Sequence, residues 1–166
     1  MNSSDCTDSW IGLGANLGDA RGALQSALQA VAALPGVDLV AVSSLYRSAP
    51  VDAGGPDYVN AVAHVRTTLS PLQWLHALQR IEQAAGRERP YRNAPRTLDL
   101  DVLTYGAARV ETPELTLPHP RMHERAFVLL PLSELSPQSV SAAQLNAVAA
   151  QRIERLDDPA WPPATL

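Results

Sequence analysis

Two aspartates separated by one residue carry the sharpest chemical signal in this sequence. Asp99 and Asp101 flank Leu100, and in a strand the side chains of residues i and i+2 project from the same face. Neighbouring carboxylates repel each other, and Mg²⁺, which prefers carboxylate, water and phosphate oxygens, relieves that repulsion. The pair therefore indicates a magnesium site that works with a phosphate ligand. A solvated strand face with one Asp paired to an Arg is the alternative.

A cluster of basic residues lies just before this pair. Between residues 80 and 96 there are two glutamates and five arginines, namely Glu82, Glu88, Arg80, Arg87, Arg89, Arg92 and Arg96. The guanidinium group suits bidentate recognition of phosphate. The chain contains no Lys, which excludes a lysine-dependent phosphate loop. A basic loop beside a metal site is typical of phosphoryl transfer, and a set of structural salt bridges is the alternative.

Polar residues in two other segments extend the candidate site. His119 lies between Pro118 and Pro120, in a rigid turn from which its ring can reach a phosphate, although a lone His is more often a structural hydrogen-bonding group. Tyr58 and Asn60 share one face of a predicted strand, where they can stack on and hydrogen-bond to a flat heterocycle.

Three glycines near the start allow a competing interpretation. Gly12, Gly14 and Gly18 form a G-x-G-x-x-x-G pattern, and Asp38 lies near the offset of a ribose-binding acid, as in dinucleotide-binding folds. However, the third Gly is one position late, and the predicted elements continue with two successive strands. A Rossmann-like oxidoreductase therefore remains an alternative that leaves the Asp pair and the arginines without a role.

Hydrophobic periodicity and end signals predict the elements that must position these residues. Asp19 is a predicted helix cap, and Ser70-Pro71 is a strong helix start. The predicted strands cover residues 10–13, 37–47, 58–67, 98–102 and 109–112, and the predicted helices cover residues 19–34, 70–86, 124–135 and 141–151.

The order of these elements predicts an α+β fold. A β-α-β-β-α-β order with additions is the ferredoxin-like arrangement, an antiparallel sheet with helices on one face. Additional helices follow at the C-terminal end, and the second face of the sheet is expected to be free for a site. We expect one domain over residues 1–166, with loose termini at residues 1–8 and about 152–166.

Composition limits the class of protein. The chain has 166 residues, a formal charge of −4 and one cysteine, which excludes a disulfide framework and a four-Cys zinc site. The acidic balance argues against nucleic acid as a partner. No run approaches the ~18 apolar residues of a membrane span, and the first ten residues do not resemble a signal peptide. A cytoplasmic protein without a membrane partner is expected.

Six segments together resemble the 6-hydroxymethyl-7,8-dihydropterin pyrophosphokinase family of folate biosynthesis. They occur in the family's order over about residues 10–135 and read GLGANLGD, SSLYRSAPV, PDYVNAV, QRIEQAAGRER, PRTLDLDVLTYG and LPHPRMHERAFVLLPL. PRTLDLD followed by the PHPRMHERAF turn is highly specific. The resemblance implies transfer of the diphosphoryl group of ATP to the pterin hydroxymethyl oxygen, with release of AMP.

The resemblance also implies a set of site residues. Two Mg²⁺ ions would be held by Asp99 and Asp101, and Arg87 and Arg96 would be catalytic, stabilising the transferred group. ATP would contact Gln79, Glu82, Arg87, Arg89, Thr116, His119 and Arg125, and the pterin would contact Ser48, Val51, Tyr58, Asn60 and Phe127. The partners would be ATP and the pterin, with the chain acting as a monomer. A catalytically silent nucleotide- or pterin-binding module of the same fold is the alternative.

Overall fold

The computed structural model describes residues 5–16, 19–49, 57–86 and 98–163. The strands are β1 (Thr7–Ala15), β2 (Val37–Val42), β3 (Tyr46–Ser48), β4 (Tyr58–Thr67), β5 (Asp99–Tyr105), β6 (Val110–Glu111), β7 (Thr116–Leu117) and β8 (Ile153–Arg155). The helices are α1 (Ala20–Ala32), α2 (Pro71–Gly86), α3 (Ala126–Leu135) and α4 (Ala142–Ala147), and a short 3-10 helix covers Met122–Glu124. None of the helices within these ranges has the length and apolar character needed to cross a membrane.

Six of the strands form one antiparallel sheet. The strand order is β5-β1-β4-β3-β8, and β2 also pairs with β4. Strand β4 contacts β1 along one edge, while its other edge pairs with β2 through residues 63–67 and with β3 through residues 58–60. The prediction of a mixed α and β fold built on an antiparallel sheet is confirmed.

Helices α1 and α2 cover one face of this sheet. The predicted apolar stripe of α1 is buried, at Leu24, Ala27, Leu28 and Val31. In α2, Trp74 is fully buried, and its indole Nε1 donates to Ser9 Oγ in β1 at 3.0 Å. Alternate residues of the strands, such as Ile11 and Leu13, point into the same core. This layer sets which side chains of β1, β4 and β5 must point the other way.

The second face of the sheet is not entirely free, which differs from the expectation. A second apolar cluster joins Val62 of β4 and Leu103 of β5 to Val128 and Leu129 of α3. Helix α3 is apolar around much of its surface, so burying only one stripe would leave exposed hydrophobic residues. A cavity occupies the part of this face beside α3.

The C-terminal segment is docked rather than loose. Strand β8 pairs with β3, and Trp161 is buried, with its Nε1 donating to the carbonyl oxygen of Ser43 at 2.9 Å. The prediction of a loose terminus from about residue 152 is therefore wrong for residues 153–161. Likewise, Thr7 and Asp8 belong to β1. These segments are ordered by contacts with residues that are distant in the sequence. Local composition does not reveal such contacts.

Candidate active site

Two glycines of β1 open a cavity on the second face of the sheet. Gly14 of β1 lies between Asn60 of β4 and Asp99 of β5, and Gly12 occupies the next position along the same face, opposite Asp101. Because glycine has no side chain, the neighbouring polar groups border open space. The cavity has a volume of about 330 Å³ and is lined by Gly12, Leu13, Gly14, Asn16, Ser48, Ala49, Tyr58, Asn60, Ala61, Asp99, Asp101, Arg125, Phe127 and Val128.

The two aspartates of β5 face this cavity together. Leu100 between them is 4% exposed and points into the opposite core, as does Val102. Asp99 and Asp101 are half-buried and line the cavity. The strand period therefore brings both carboxylates to one place, as the spacing predicts.

Glutamate 82 ties helix α2 to the strand that carries this pair. Glu82 Oε2 accepts a hydrogen bond from the backbone N–H of Leu100 at 2.7 Å. Since β5 is the last strand of the sheet, this N–H faces away from β1 and is satisfied by the carboxylate. Gln79, one turn earlier in α2, is exposed and does not line the cavity.

His119 lies next to the carboxylate pair and is held at two atoms. Its backbone N–H donates to the carbonyl oxygen of Leu103 at 2.8 Å, and its Nδ1 accepts from the backbone N–H of Arg121 at 3.1 Å. Burial lowers the pKa of the imidazole below its ordinary value of 6.5, Arg125 and Arg121 act in the same direction, and Asp101 opposes them. Because Nδ1 accepts this hydrogen bond, the proton of the neutral imidazole lies on Nε2.

Arg125 and Phe127 form the wall on the side of α3. The Arg125 guanidinium lies 5.4 Å from the centroid of the Phe127 ring. Arg125 Nε is buried and has no hydrogen-bond partner among the described residues. Because buried donors are normally paired, this atom is a candidate donor to an acceptor outside the described residues, such as a ligand.

Asn16 is a cavity residue that the sequence interpretation missed. Its Oδ1 is buried and, within the described part of the chain, has no hydrogen-bond partner. Asn16 directly follows β1 and lines the same cavity as Asp99. A polar residue immediately after a buried strand is the signal that would have identified it.

A buried hydrogen bond orients the polar groups on the side of β4. Ser48 Oγ donates to Asn60 Oδ1 at 2.6 Å, and the two residues are 6% and 4% exposed. The acceptor oxygen is therefore occupied, and the Asn60 Nδ2 donor lies toward Gly14, 3.0 Å from the position that a Cβ would take there. Tyr58 lines the cavity beside this amide.

The structure brings together most, but not all, of the predicted site residues that it describes. The cavity wall includes Ser48, Tyr58, Asn60, Asp99, Asp101, Arg125 and Phe127. Four other described residues, namely Gln79, Glu82, Thr116 and His119, are absent from that wall. The remaining predicted residues, Val51, Arg87, Arg89 and Arg96, lie outside the described residues.

Solved structures with the same fold include Plasmodium falciparum HPPK-DHPS. Its triple mutant with STZ-DHP superposes with a TM-score of 0.65 at 14% identity, covering 85% of this chain and 41% of that chain. The wild type with pterin and p-hydroxybenzoate gives a TM-score of 0.61 at 16% identity, covering 80% of this chain and 40% of that chain. At this level of identity the likeness shows the fold alone, and the present chain spans about two fifths of those proteins.

Sequence relatives are much closer. A 2-amino-4-hydroxy-6-hydroxymethyldihydropteridine pyrophosphokinase of Synechocystis is 41% identical over 160 residues, covering 96% of this chain and 82% of the relative. The enzyme of the same name from Pseudomonas aeruginosa is 49% identical over 129 residues, covering 77% and 80%. The sequence model of the 7,8-dihydro-6-hydroxymethylpterin-pyrophosphokinase family matches residues 10–137. The chain belongs to this pyrophosphokinase family.

Proposed function

We propose that the cavity above β1, β4 and β5 is where this chain carries out the family's reaction, ATP-dependent transfer of a diphosphoryl group to 6-hydroxymethyl-7,8-dihydropterin with release of AMP. The observation that supports this location is that the Asp99 and Asp101 carboxylates border the same cavity as the Ser48–Asn60 hydrogen bond. Acidic groups for a phosphate-bound cation and fixed amide groups for a heterocycle therefore lie together.

The donor set of the two aspartates fits magnesium. No group of three or more His, Cys, Asp or Glu side chains suited to a metal occurs among the described residues. Mg²⁺ is commonly held by only one or two carboxylates, with water and substrate phosphates completing its coordination. We assign Asp99 and Asp101 to hold two Mg²⁺ ions. When bound, Mg²⁺ would polarise the phosphate oxygens and lower the pKa of the attacking hydroxyl.

The nucleotide is assigned to the side of the cavity near α3 and the His119 turn. Arg125 offers its buried Nε, which has no partner among the described residues, and His119 offers Nε2–H because its Nδ1 accepts from the Arg121 N–H. Because the phosphates of ATP carry negative charge, fixed donors of this kind hold the nucleotide through directional hydrogen bonds. Arg87 and Arg96 are assigned to the transferred group, and the further nucleotide contacts are assigned to Gln79, Glu82, Arg89 and Thr116.

The pterin is assigned to the side of the cavity near β3 and β4. Tyr58 and Phe127 offer aromatic faces, and the Asn60 amide offers a donor whose orientation is fixed by Ser48. A pocket that hydrogen-bonds to a ring discriminates strongly against analogues that lack the matching groups. Val51 completes the proposed pterin contacts. The bound ring would present its hydroxymethyl oxygen for direct attack on phosphorus, so no covalent enzyme intermediate is required.

We also infer that the fold is ferredoxin-like and that the chain acts as a monomer. The elements β1-α1-β2-β4-α2-β5, with β5-β1-β4-β2 as neighbours in the sheet, support a ferredoxin-like arrangement. A single domain acting as a monomer is consistent with one sheet that receives strands from both ends of the chain.

The decisive experiment measures the nucleotide product. We expect the protein to form AMP from ATP only when Mg²⁺ and 6-hydroxymethyl-7,8-dihydropterin are both present, as measured by chromatography of the nucleotides. Chelation with EDTA should stop the reaction, and added Mg²⁺ should restore it. Formation of ADP would contradict diphosphoryl transfer, and ATP binding without AMP formation would favour the silent binding module.

A further inference from the structure

The side-chain amide of Gln151 forms a clasp on the backbone of Arg125. Gln151 Oε1 accepts from the N–H of Ala126 at 2.8 Å, and Gln151 Nε2 donates to the carbonyl oxygen of Glu124 at 2.7 Å. These two groups belong to the peptide units on either side of Arg125. One planar amide, 26 positions further along the chain, therefore holds both peptides that set the position of the Arg125 Cα atom.

The start of helix α3 explains why such a clasp matters. The first N–H groups of a helix lack partners within the helix, and Ser, Thr, Asp or Asn at the N-cap usually supplies an acceptor. Here the N-cap is Arg125, which makes no side-chain cap hydrogen bond and whose guanidinium can only donate. Gln151 supplies the acceptor for the Ala126 N–H, the first amide of α3, which the Arg125 side chain cannot provide.

The geometry of Arg125 depends on this restraint. Its backbone is extended, with φ −121° and ψ 116°, and its guanidinium lies over Phe127. A long side chain can be placed no more accurately than the Cα atom from which it starts. Since a guanidinium recognises phosphate through directional hydrogen bonds, loosening the two flanking peptides would reduce nucleotide binding.

We propose that Gln151 is a positioning residue that holds the Arg125 backbone in place so that its side chain can bind the nucleotide. The inference rests on the proposed function for the role of Arg125 but concerns a part of the chain beyond residues 10–137, the range matched by the family model. Gln151 contributes to binding through the backbone that it holds.

The test is the Gln151→Ala variant in the full chain. We expect the KM for ATP and the Kd for α,β-methylene-ATP to rise about tenfold, as the loss of two hydrogen bonds to a preorganised backbone implies, with kcat and the KM for the pterin within about twofold of the unmodified chain. Gln144→Ala is the matched control. Gln144 accepts from the Ser141 N–H at 2.8 Å at the start of α4, so its loss removes a similar cap and should leave the KM for ATP unchanged.

A double-mutant cycle separates positioning from general stability. In an Arg125→Ala background, Gln151→Ala should produce no further rise in the Kd for α,β-methylene-ATP, and fully additive effects would overturn the proposal. If Gln151→Ala fails to fold, Gln151→Met provides the same comparison with a side chain of similar length. An unchanged KM for ATP in a chain that forms AMP refutes the role of Gln151 alone, whereas absence of AMP from the unmodified chain refutes the proposed function.

Discussion

At the scale of single residues, the two-residue period of a strand allowed the aspartate pair to be recognised from the sequence. Asp99 and Asp101 alternate with Leu98, Leu100 and Val102, so one prediction assigned the carboxylates to a common face, and the structure has all three apolar residues buried. The glycines of β1 were harder to interpret. Gly12 and Gly14 resemble a dinucleotide loop in sequence, but they lie within a strand that pairs antiparallel on both sides, which is incompatible with a Rossmann phosphate loop.

Neutralising either aspartate should remove most of the activity. We expect Asp99→Asn and Asp101→Asn to lower kcat for AMP formation by about a thousandfold, because an amide does not neutralise metal charge as a carboxylate does. Rates at saturating ATP and Mg²⁺ provide the measurement. Asp38→Asn in β2, an exposed carboxylate outside the cavity wall, should retain normal turnover. Near-normal rates in both site variants would contradict the metal role.

A methyl group at Gly14 should impair pterin binding by displacing the Asn60 amide. A Cβ at this position would lie 3.0 Å from Asn60 Nδ2, whereas a Cβ at Gly12 would meet Leu103 at an ordinary 3.7 Å. Because Ser48 restrains the Asn60 amide, we expect Gly14→Ala to raise the KM for the pterin about tenfold. Gly12→Ala should change it less. Equal effects of the two substitutions would show that cavity volume, and not the amide position, determines affinity.

At the scale of elements, one carboxylate adds hydrogen bonds to the apolar packing that holds helix α3 on the sheet. Glu134 accepts from the Ser44 N–H at 3.0 Å and from the Tyr46 hydroxyl at 2.8 Å. Burial raises the pKa of the Tyr46 phenol, and the hydrogen bond to Glu134 and its negative charge raise it further. This contact connects the helix that begins at Arg125 to β3, the strand that carries Ser48.

This connection should make stability sensitive to alkali. The unfolded chain loses the Tyr46 proton near the ordinary pKa of 10.0, whereas the folded chain retains it to higher pH. The contribution of the protonated phenol to the free energy of unfolding is therefore complete below pH 10 and declines above it. We expect the thermal midpoint to fall more steeply between pH 9 and pH 11 in the unmodified chain than in Tyr46→Phe. Tyr105→Phe, which loses a hydroxyl bonded to the Leu69 carbonyl oxygen, should keep the steep dependence. Parallel profiles for all three proteins would contradict this assignment.

Helices and strands with clear hydrophobic periodicity and end signals were predicted correctly. Those defined by contacts with distant residues were not. The predicted strand at residues 58–67 and the predicted helix that ends at Gly86 match β4 and α2. The single strand predicted over residues 37–47 is divided into β2 and β3, because Ser43 turns its Oγ to the Val62 N–H at 2.9 Å. Strand β8 has only three residues, too few for hydrophobic periodicity to reveal it.

For the molecule as a whole, the C-terminal segment contributes to the core that supports the site. Trp161 packs into the cluster between the sheet and helices α1 and α2, and Asp158 forms an ion pair with Arg21 at 3.4 Å. Of these, the buried indole dominates, since an exposed ion pair is typically worth less than about 1 kcal/mol.

Removing the indole should therefore destabilise the whole molecule. We expect Trp161→Ala to lower the free energy of unfolding by about 3–5 kcal/mol, the usual cost of truncating a buried aromatic residue. Trp161→Phe, which keeps a ring but loses the bond to the Ser43 carbonyl oxygen, should cost only about 1–2 kcal/mol. Urea denaturation followed by circular dichroism measures both. A loss below about 1 kcal/mol for the alanine variant would mean that the segment contributes little to stability.

The short strand β8 has a consequence for how copies of this protein meet at high concentration. A sheet margin with free peptide groups can recruit a strand from another molecule and start aggregation. In the sheet, β8 occupies the outer position beside β3, and only Ile153 of its three residues is apolar, next to Glu154 and Arg155. Short, charged edge strands discourage pairing with a strand of another molecule, so the residues that order the C-terminal segment also protect this edge of the sheet.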